Sequence, residues 1–343
     1  MMRLPLYWLL AFTTAALALL LLGSLATGPM TLTLGESLRA LFAGQESGIE
    51  SHKLLIVQEI RLPRTLLCIA VGGILGLCGA VMQGLFRNPL ADPGIIGVSG
   101  GAALGAALAI VLLAPLGQQL QTTIGVGLLP LLAFLGGALT TTLVYLLGTR
   151  EGGTSVTIML LAGVAITALS GAVIGLLTYL ADDQMLRNLS LWQMGTLAAG
   201  KPADVALALL TLAALLWLFM RDANPLNALL LGEGEARHLG VNVQSLKRRL
   251  ILLTAAGVGV AVAVAGMIGF VGLVVPHLVR LLAGPNHVRL LPLSALLGAA
   301  LLLAADMLAR TLLAPAELPV GIITALLGAP FFIWLLVKGR RAL

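Results

Sequence analysis

The stretch TLLCIAVGGILGLCGAVMQGLF, residues 65–86, followed directly by RNPLADP, residues 87–93, decides how this chain is read. Residues 65–86 carry no charge, and at 1.5 Å rise per residue they are long enough to cross a hydrocarbon layer of about 30 Å. Gly72, Gly73, Gly76 and Gly79 recur at helical spacing. Small residues let helix backbones meet closely where lipid removes the hydrophobic drive between helices. Arg87 then suits the interface, and Pro89 and Pro93 stop one helix and restart the next. Asn88 and Asp92 can cap the backbone groups freed by that break. Gln83, one turn upstream inside the span, is a polar exception. A plain interhelical turn is the simpler alternative for 87–93.

The rest of the chain extends this reading. Of its 343 residues, 59% are hydrophobic and 10% charged, with mean hydropathy +1.06. A soluble domain carries about 25% charged residues, so lipid is the main solvent here. Apolar runs follow at 5–27, 95–115, 124–148, 155–181, 203–220, 248–267, 291–309 and 319–337, with a shorter piece at 271–284 that holds Pro276, His277 and Arg280. Together they predict an all-α membrane protein of ten spans, one transmembrane domain over 1–343, with residues 222–246 as an inner loop of short helices. The first run exceeds the apolar core of a cleaved leader and is expected to stay as a span. An even count puts both termini on one side. Placed inside, that arrangement assigns 13 of the 20 Lys and Arg to inner segments, as the positive-inside bias requires. The basic residues are spread over loops, which argues against a nucleic-acid groove. Cys68 and Cys78 fall about 15 Å apart on one helix and cannot pair.

Three further motifs carry chemistry. In Gly232-Glu233-Gly234-Glu235-Ala236-Arg237-His238-Leu239-Gly240, Gly232 breaks one short helix, Glu235 suits the first turn of the next, and Gly240 ends it. A short charged helix on the inner surface makes a handle for a partner; a solvated linker is the alternative. Lys247-Arg248-Arg249 reads as a topology anchor. Residues 266–277 fit a helix broken at membrane depth, tolerated only inside protein or beside a water-filled cavity. Asp306 and Arg310 stand one helical turn apart and can pair, near Glu317.

Two patterns are rejected. Gly195–Lys201 has phosphate-loop spacing, but Pro202 replaces the required Ser or Thr. Gly97-Val98-Ser99-Gly100 with His277 resembles an intramembrane serine protease, yet Ser99 falls at the inner mouth. His277 is more simply a structural hydrogen-bonding residue, and Asp182-Asp183 is too isolated for a metal site. No metal site and no catalytic residue are expected.

Taken in order, Arg61-Leu62-Pro63-Arg64, Gln83 with Arg87–Pro93, Gly232–Val241, Gly269–His277, Asp306 with Arg310, Glu317-Leu318-Pro319 and Gly328-Ala329-Pro330-Phe331 resemble the permease subunit of a type II ABC importer, the family that takes up haem, ferric siderophores and cobalamin. The resemblance covers nearly the whole chain. It implies a homodimer in the bacterial inner membrane, with both termini cytoplasmic, two cytoplasmic ATPases below and a periplasmic substrate-binding protein above. ATP and magnesium would belong to the ATPase, leaving this chain without a cofactor and without enzymatic activity of its own. Arg61, Arg64 and Arg310 match outer arginines that meet the binding protein. Gln83, Asn88 and Leu90 match one inner gate, and Gly152, Gly153, Thr154 and Ser155 a second. Gly232 and Glu235, Ala236, Arg237, His238, Leu239 and Gly240 match the element that seats in the ATPase. The run 81–89 is most similar to haem permeases, with ferric siderophore and cobalamin as alternatives. A secondary transporter is the rival from another class, but the spans hold almost none of the ionisable midplane groups it needs.

Overall fold

The structure is a computed structural model that describes residues 5–42, 50–114, 127–150, 153–198 and 200–340. Among the described residues, seven helices are long and apolar enough to cross a membrane, and three shorter apolar helices complete the ten expected. The long ones are α1 (Leu6–Ala26), α3 (Ser51–Leu85), α5 (Leu128–Gly148), α6 (Val156–Leu180), α8 (Pro202–Arg221), α11 (Val243–Ala265) and α13 (His287–Thr311). The shorter ones are α4 (Val98–Val111), α12 (Val271–Ala283) and the apolar part, Val320–Leu335, of α14 (Val320–Arg340). Among the described residues, small α-helices between them are α2 (Leu34–Phe42), α7 (Asp183–Gln193), α9 (Ala223–Leu230) and α10 (Glu233–His238), with a 3-10 turn at Pro93–Ile96. One short antiparallel hairpin joins α5 to α6, with β1 (Thr149–Arg150) paired to β2 (Gly153–Thr154).

Helix α3 is the axis of the molecule. Its side chains are almost all buried from Arg64 to Leu85, enclosed by α8, α11, α12 and α13. The glycine ladder does the expected work. A methyl group at Gly72 or Gly76 would run into the backbone carbonyls of Gly298 or Ser294 on α13. Gly79 packs on the carbonyl of Gly272, the acceptor that Pro276 leaves without its helical donor four residues on. Gly101 and Gly105 press in the same way on α5, against Gly136 and Leu132. Gly97 is different: at φ +85° it is a left-handed turn residue at the start of α4.

The expected span at 65–86 begins earlier than its composition suggests. The chain from Ser51 is already helical and runs into the span without a break. A π-helical stretch, Ile56–Arg61, makes this possible: Leu62 donates to the carbonyl of Val57, so the wider turn absorbs Pro63, which has no N–H to give. Cys68 and Cys78 are free and buried.

The membrane-depth break falls at residues 266–270, between α11 and α12. Gly266 (φ +68°) and Phe270 (φ +67°) both take left-handed conformations. Protein packs on one side of the break, where Thr196 donates to Ala265 O at 2.8 Å and Gly195 meets the Met267 carbonyl, while Gly269 is exposed and lines a cavity of ≈ 80 Å³. Pro276 lies within α12 rather than at the break. Two flanks stay apolar and exposed, including Leu161, Leu169 and Tyr179 on α6 and Leu326, Ile333 and Trp334 on α14.

Candidate functional site

The polar residues gather at two ends of the bundle. The end holding Arg87, Glu235 and Lys247 is called inner below, after the charge asymmetry; the end holding Arg64 and Arg310 is called outer.

At the inner end, glycine sets the handle. Gly232 at φ +121° turns the chain between α9 and α10. Gly240 at φ +83° closes α10: its N–H donates to Arg237 O, and Val241 N–H reaches back to Ala236 O, both at 2.9 Å. This pair of bonds is a Schellman closure, which satisfies the last carbonyls of the helix. Ala236 is the buried foot of α10, while Glu235, Arg237, His238, Leu239 and Gly240 face outward. Leu239 is 64% exposed, an apolar knob on a charged helix.

The first proposed gate closes α3 by the same device with a non-glycine residue. Arg87 takes φ +49°, donating to Gly84 O at 3.2 Å, and Asn88 N–H reaches Gln83 O at 3.1 Å. Asn88 Oδ1 then accepts from Leu90 N at 2.9 Å, and Asp92 Oδ1 accepts from Gly94 N at 2.7 Å. Both caps expected at the break are therefore present. Asn88 and Leu90 are exposed on this turn. Gln83, also expected at this gate, sits inside the bundle rather than on the turn. It is buried, donating to Leu273 O at 3.1 Å and accepting from Arg280 Nη1 at 2.8 Å, so it braces α3 against α12. A buried amide must spend its donors and acceptor on neighbours, and here both lie on α12.

The second proposed gate is the hairpin after α5. Gly152 lies outside the described residues. Gly153 (φ +115°) lies directly on the Gln244 side chain, Thr154 N donates to Gln244 Oε1 at 3.1 Å, and Ser155 Oγ caps α6 at Ile158 N.

Sequence reading missed Lys247. The anchor reading fails because the side chain is only 2% exposed. Its Nζ donates to Glu233 Oε1 at 2.6 Å, on α10, and to Thr154 O at 3.1 Å, in the hairpin. The signal was available: Val243, Leu246, Lys247 and Leu250 form the buried stripe of α11, with Lys247 on the apolar face. Arg248 is exposed, and Arg249 binds the Asp222 carboxylate that precedes α9. Asn227 on α9 was also missed. Its Oδ1 accepts from His287 N at 2.8 Å and lies 2.9 Å from His287 Nδ1, while its Nδ2 donates to Asn286 Oδ1 at 3.0 Å. His287 is fully buried, with its ring against Gly84.

At the outer end the three arginines expected to dock the binding protein are turned inward in this chain. Arg61, Arg64 and Arg310 are 3%, 6% and 2% exposed. Arg61 Nη1 caps α1 through Leu25 O (2.7 Å) and Ala26 O (2.8 Å), and its Nη2 holds Met30 O. Arg64 grips Asp306 and Glu317. Arg310 pairs with Asp306 at 3.0 Å, as its helical spacing predicts, and its Nη2 donates to Ser24 Oγ at 2.8 Å. The physical reason is that a guanidinium in this packed corner must meet an acceptor, and the carboxylates and helix-end carbonyls of the same chain supply it.

Neither rejected pattern regains support. Ser99 lines a cavity of ≈ 80 Å³ with Asp92, Gly94 and Met267, whereas His277 makes an edge contact with the Phe331 ring at 6.2 Å.

A helical bundle with a short, outward-facing handle and proline-broken inner turns fits a permease of the type II ABC importer class. Comparison with known proteins agrees. The profile of the FecCD transport family matches residues 16–338, and the chain belongs to that family. It is 47% identical over 336 residues to the hemin transport system permease protein HmuU of Yersinia pestis, covering 97% of this chain and 96% of the relative. It is 44% identical to the cobalamin import system permease protein BtuC of Halobacterium salinarum, over 87% of this chain and 77% of the relative. Among solved structures it matches a chain described as a metal-chelate type ABC transporter in an inward-facing conformation, with TM-score 0.82 and 33% identity, over 97% of this chain and 100% of that one. PsaBC from Streptococcus pneumoniae shares the fold, with TM-score 0.58 at 21% identity over 81% of this chain and 91% of that chain.

Proposed function

We propose that this chain, as a homodimer in the bacterial inner membrane with both termini cytoplasmic, imports haem by alternating access. Two cytoplasmic ATPases, which hold the ATP and magnesium, seat on the α10 handles. A periplasmic binding protein delivers cargo to the outer end. The observation that carries this reading is α10 itself: a glycine-bounded helix that buries one alanine and presents every other side chain of its second half outward. Such an element stabilises little of its own chain and is shaped for a partner. Haem is preferred because the relative that carries hemin matches at 47% identity, against 40–45% for those that carry cobalamin. Arg61, Arg64 and Arg310 hold the shape of the docking face rather than touching the binding protein. Asn88 and Leu90, and the hairpin Gly153–Ser155, form the inner gates.

Reconstitution tests this. The chain is placed in proteoliposomes with its ATPase and binding protein, and haem uptake is followed. Uptake that needs ATP and is lost with Glu235→Arg or Gly240→Pro supports the importer. Uptake by the chain without any ATPase would overturn it in favour of a secondary transporter. ATP-dependent uptake of cobalamin or a ferric siderophore, but not haem, would replace the cargo alone.

A further inference from the structure

We propose that Lys247 is the positioning residue that carries movement of the α10 handle to the gate hairpin. The inference rests on the proposed roles of those two elements and adds the connection between them. Helix α10 and the hairpin are far apart in sequence. They meet through one ammonium group, which bonds Glu233 on the handle and the Thr154 carbonyl in the hairpin. A second tie runs in parallel. Gln244, three residues before Lys247 on α11, accepts from the N–H of the same Thr154. Thr154 is thus held at both its backbone N–H and its C=O by two side chains of α11. Gly153 lets the hairpin settle onto this pair, since a Cβ there would lie 3.0 Å from Gln244 Cδ and φ is +115°.

Burial makes the link stiff. An exposed lysine could exchange either partner for water. An ammonium shielded from solvent cannot release Glu233 without leaving its charge uncompensated, or Thr154 without losing a hydrogen bond that water does not replace. Handle, lysine and hairpin therefore shift together, and the hairpin follows whatever the ATPase does to α10. A packing role alone would be served as well by methionine, which fills similar volume without the two bonds.

The test is the number of haem molecules imported per ATP hydrolysed by the reconstituted complex. In Lys247→Met, binding-protein-stimulated hydrolysis persists, and haem imported per ATP falls about tenfold, as expected when a coupling free energy of ordinary size is lost. Glu233→Gln combined with Lys247→Met is no worse than Lys247→Met alone, because both act through one link. Should Lys247→Met fail to assemble, Glu233→Ala, which cuts the handle end of the same link, lowers the same ratio. If hydrolysis and uptake fall in proportion in the assembled variants, or the ratio is unchanged, the proposal is overturned. A wild-type complex that imports haem without hydrolysing ATP would instead overturn the importer reading.

Discussion

The Arg64 guanidinium holds the Asp306 carboxylate through Nε at 3.0 Å and Nη2 at 2.9 Å, across 242 residues of sequence. Its remaining arm reaches Glu317 at 2.7 Å, and Arg310 approaches the same Asp306 from the next helical turn. This knot joins α3 to α13, and Arg310 extends it to the end of α1. Removing one member leaves an uncompensated charge in a buried corner. Asp306→Ala is expected to cost about 3–5 kcal/mol, seen as a large fall in the melting temperature of the detergent-purified protein. Arg64→Met with Asp306→Leu is expected to cost less than Asp306→Ala alone. An exposed, docking-type arginine would give the opposite pattern, with stability unchanged and only binding-protein affinity reduced.

Gly79→Val is expected to abolish folded protein, because its side chain would occupy the position of the Gly272 carbonyl. Gly175→Val, on the exposed flank of α6 with open space around it, is expected to express at wild-type level. Size-exclusion profiles of the two variants decide the matter, and equal behaviour would mean that α3 and α12 do not meet there.

Burial holds the Asp92 carboxyl above the usual carboxylate range, against the weaker opposing pull of the Gly94 N–H. The folded state therefore prefers the protonated form. Its contribution to stability is fully present below the unfolded value of about 3.9 and declines as pH rises towards the folded one. Asp92→Asn keeps an oxygen for Gly94 and removes the titration. Its melting temperature relative to wild type should rise as pH climbs from 4. A difference that is flat with pH would show that Asp92 is well solvated.

Asn227→Ala leaves the backbone N–H and Nδ1 of the buried His287 without their acceptor. A loss of about 1–3 kcal/mol is expected in thermal unfolding. The same variant should weaken the attachment of α9 to α13, detectable as faster hydrogen exchange over residues 223–230. Unaltered exchange there would remove Asn227 as the tie.

Gly240→Val forces a β-branched residue to φ +83°, a strain of about 1–2 kcal/mol confined to the end of α10. Membrane insertion should be normal, and co-purification with the ATPase should fall. Full retention of the ATPase would mean that the closure of α10 has no part in the contact.

Much of the architecture was written locally. The spans follow from partition between lipid and water, which each segment settles for itself. The ends of α10 follow from Gly232 and Gly240, and the Asp306–Arg310 pair from helical spacing, because these depend on neighbours within a turn or two. The glycine faces also announced where helices approach, though not which carbonyls they meet. What only the tertiary structure decided was the use of the buried charges and amides. Nothing near Lys247 names Thr154, nothing near Gln83 names Arg280, and nothing near Arg64 separates a partner protein from Asp306. A polar group withdrawn from water must take the acceptor that packing brings to it, and packing is a property of the whole chain.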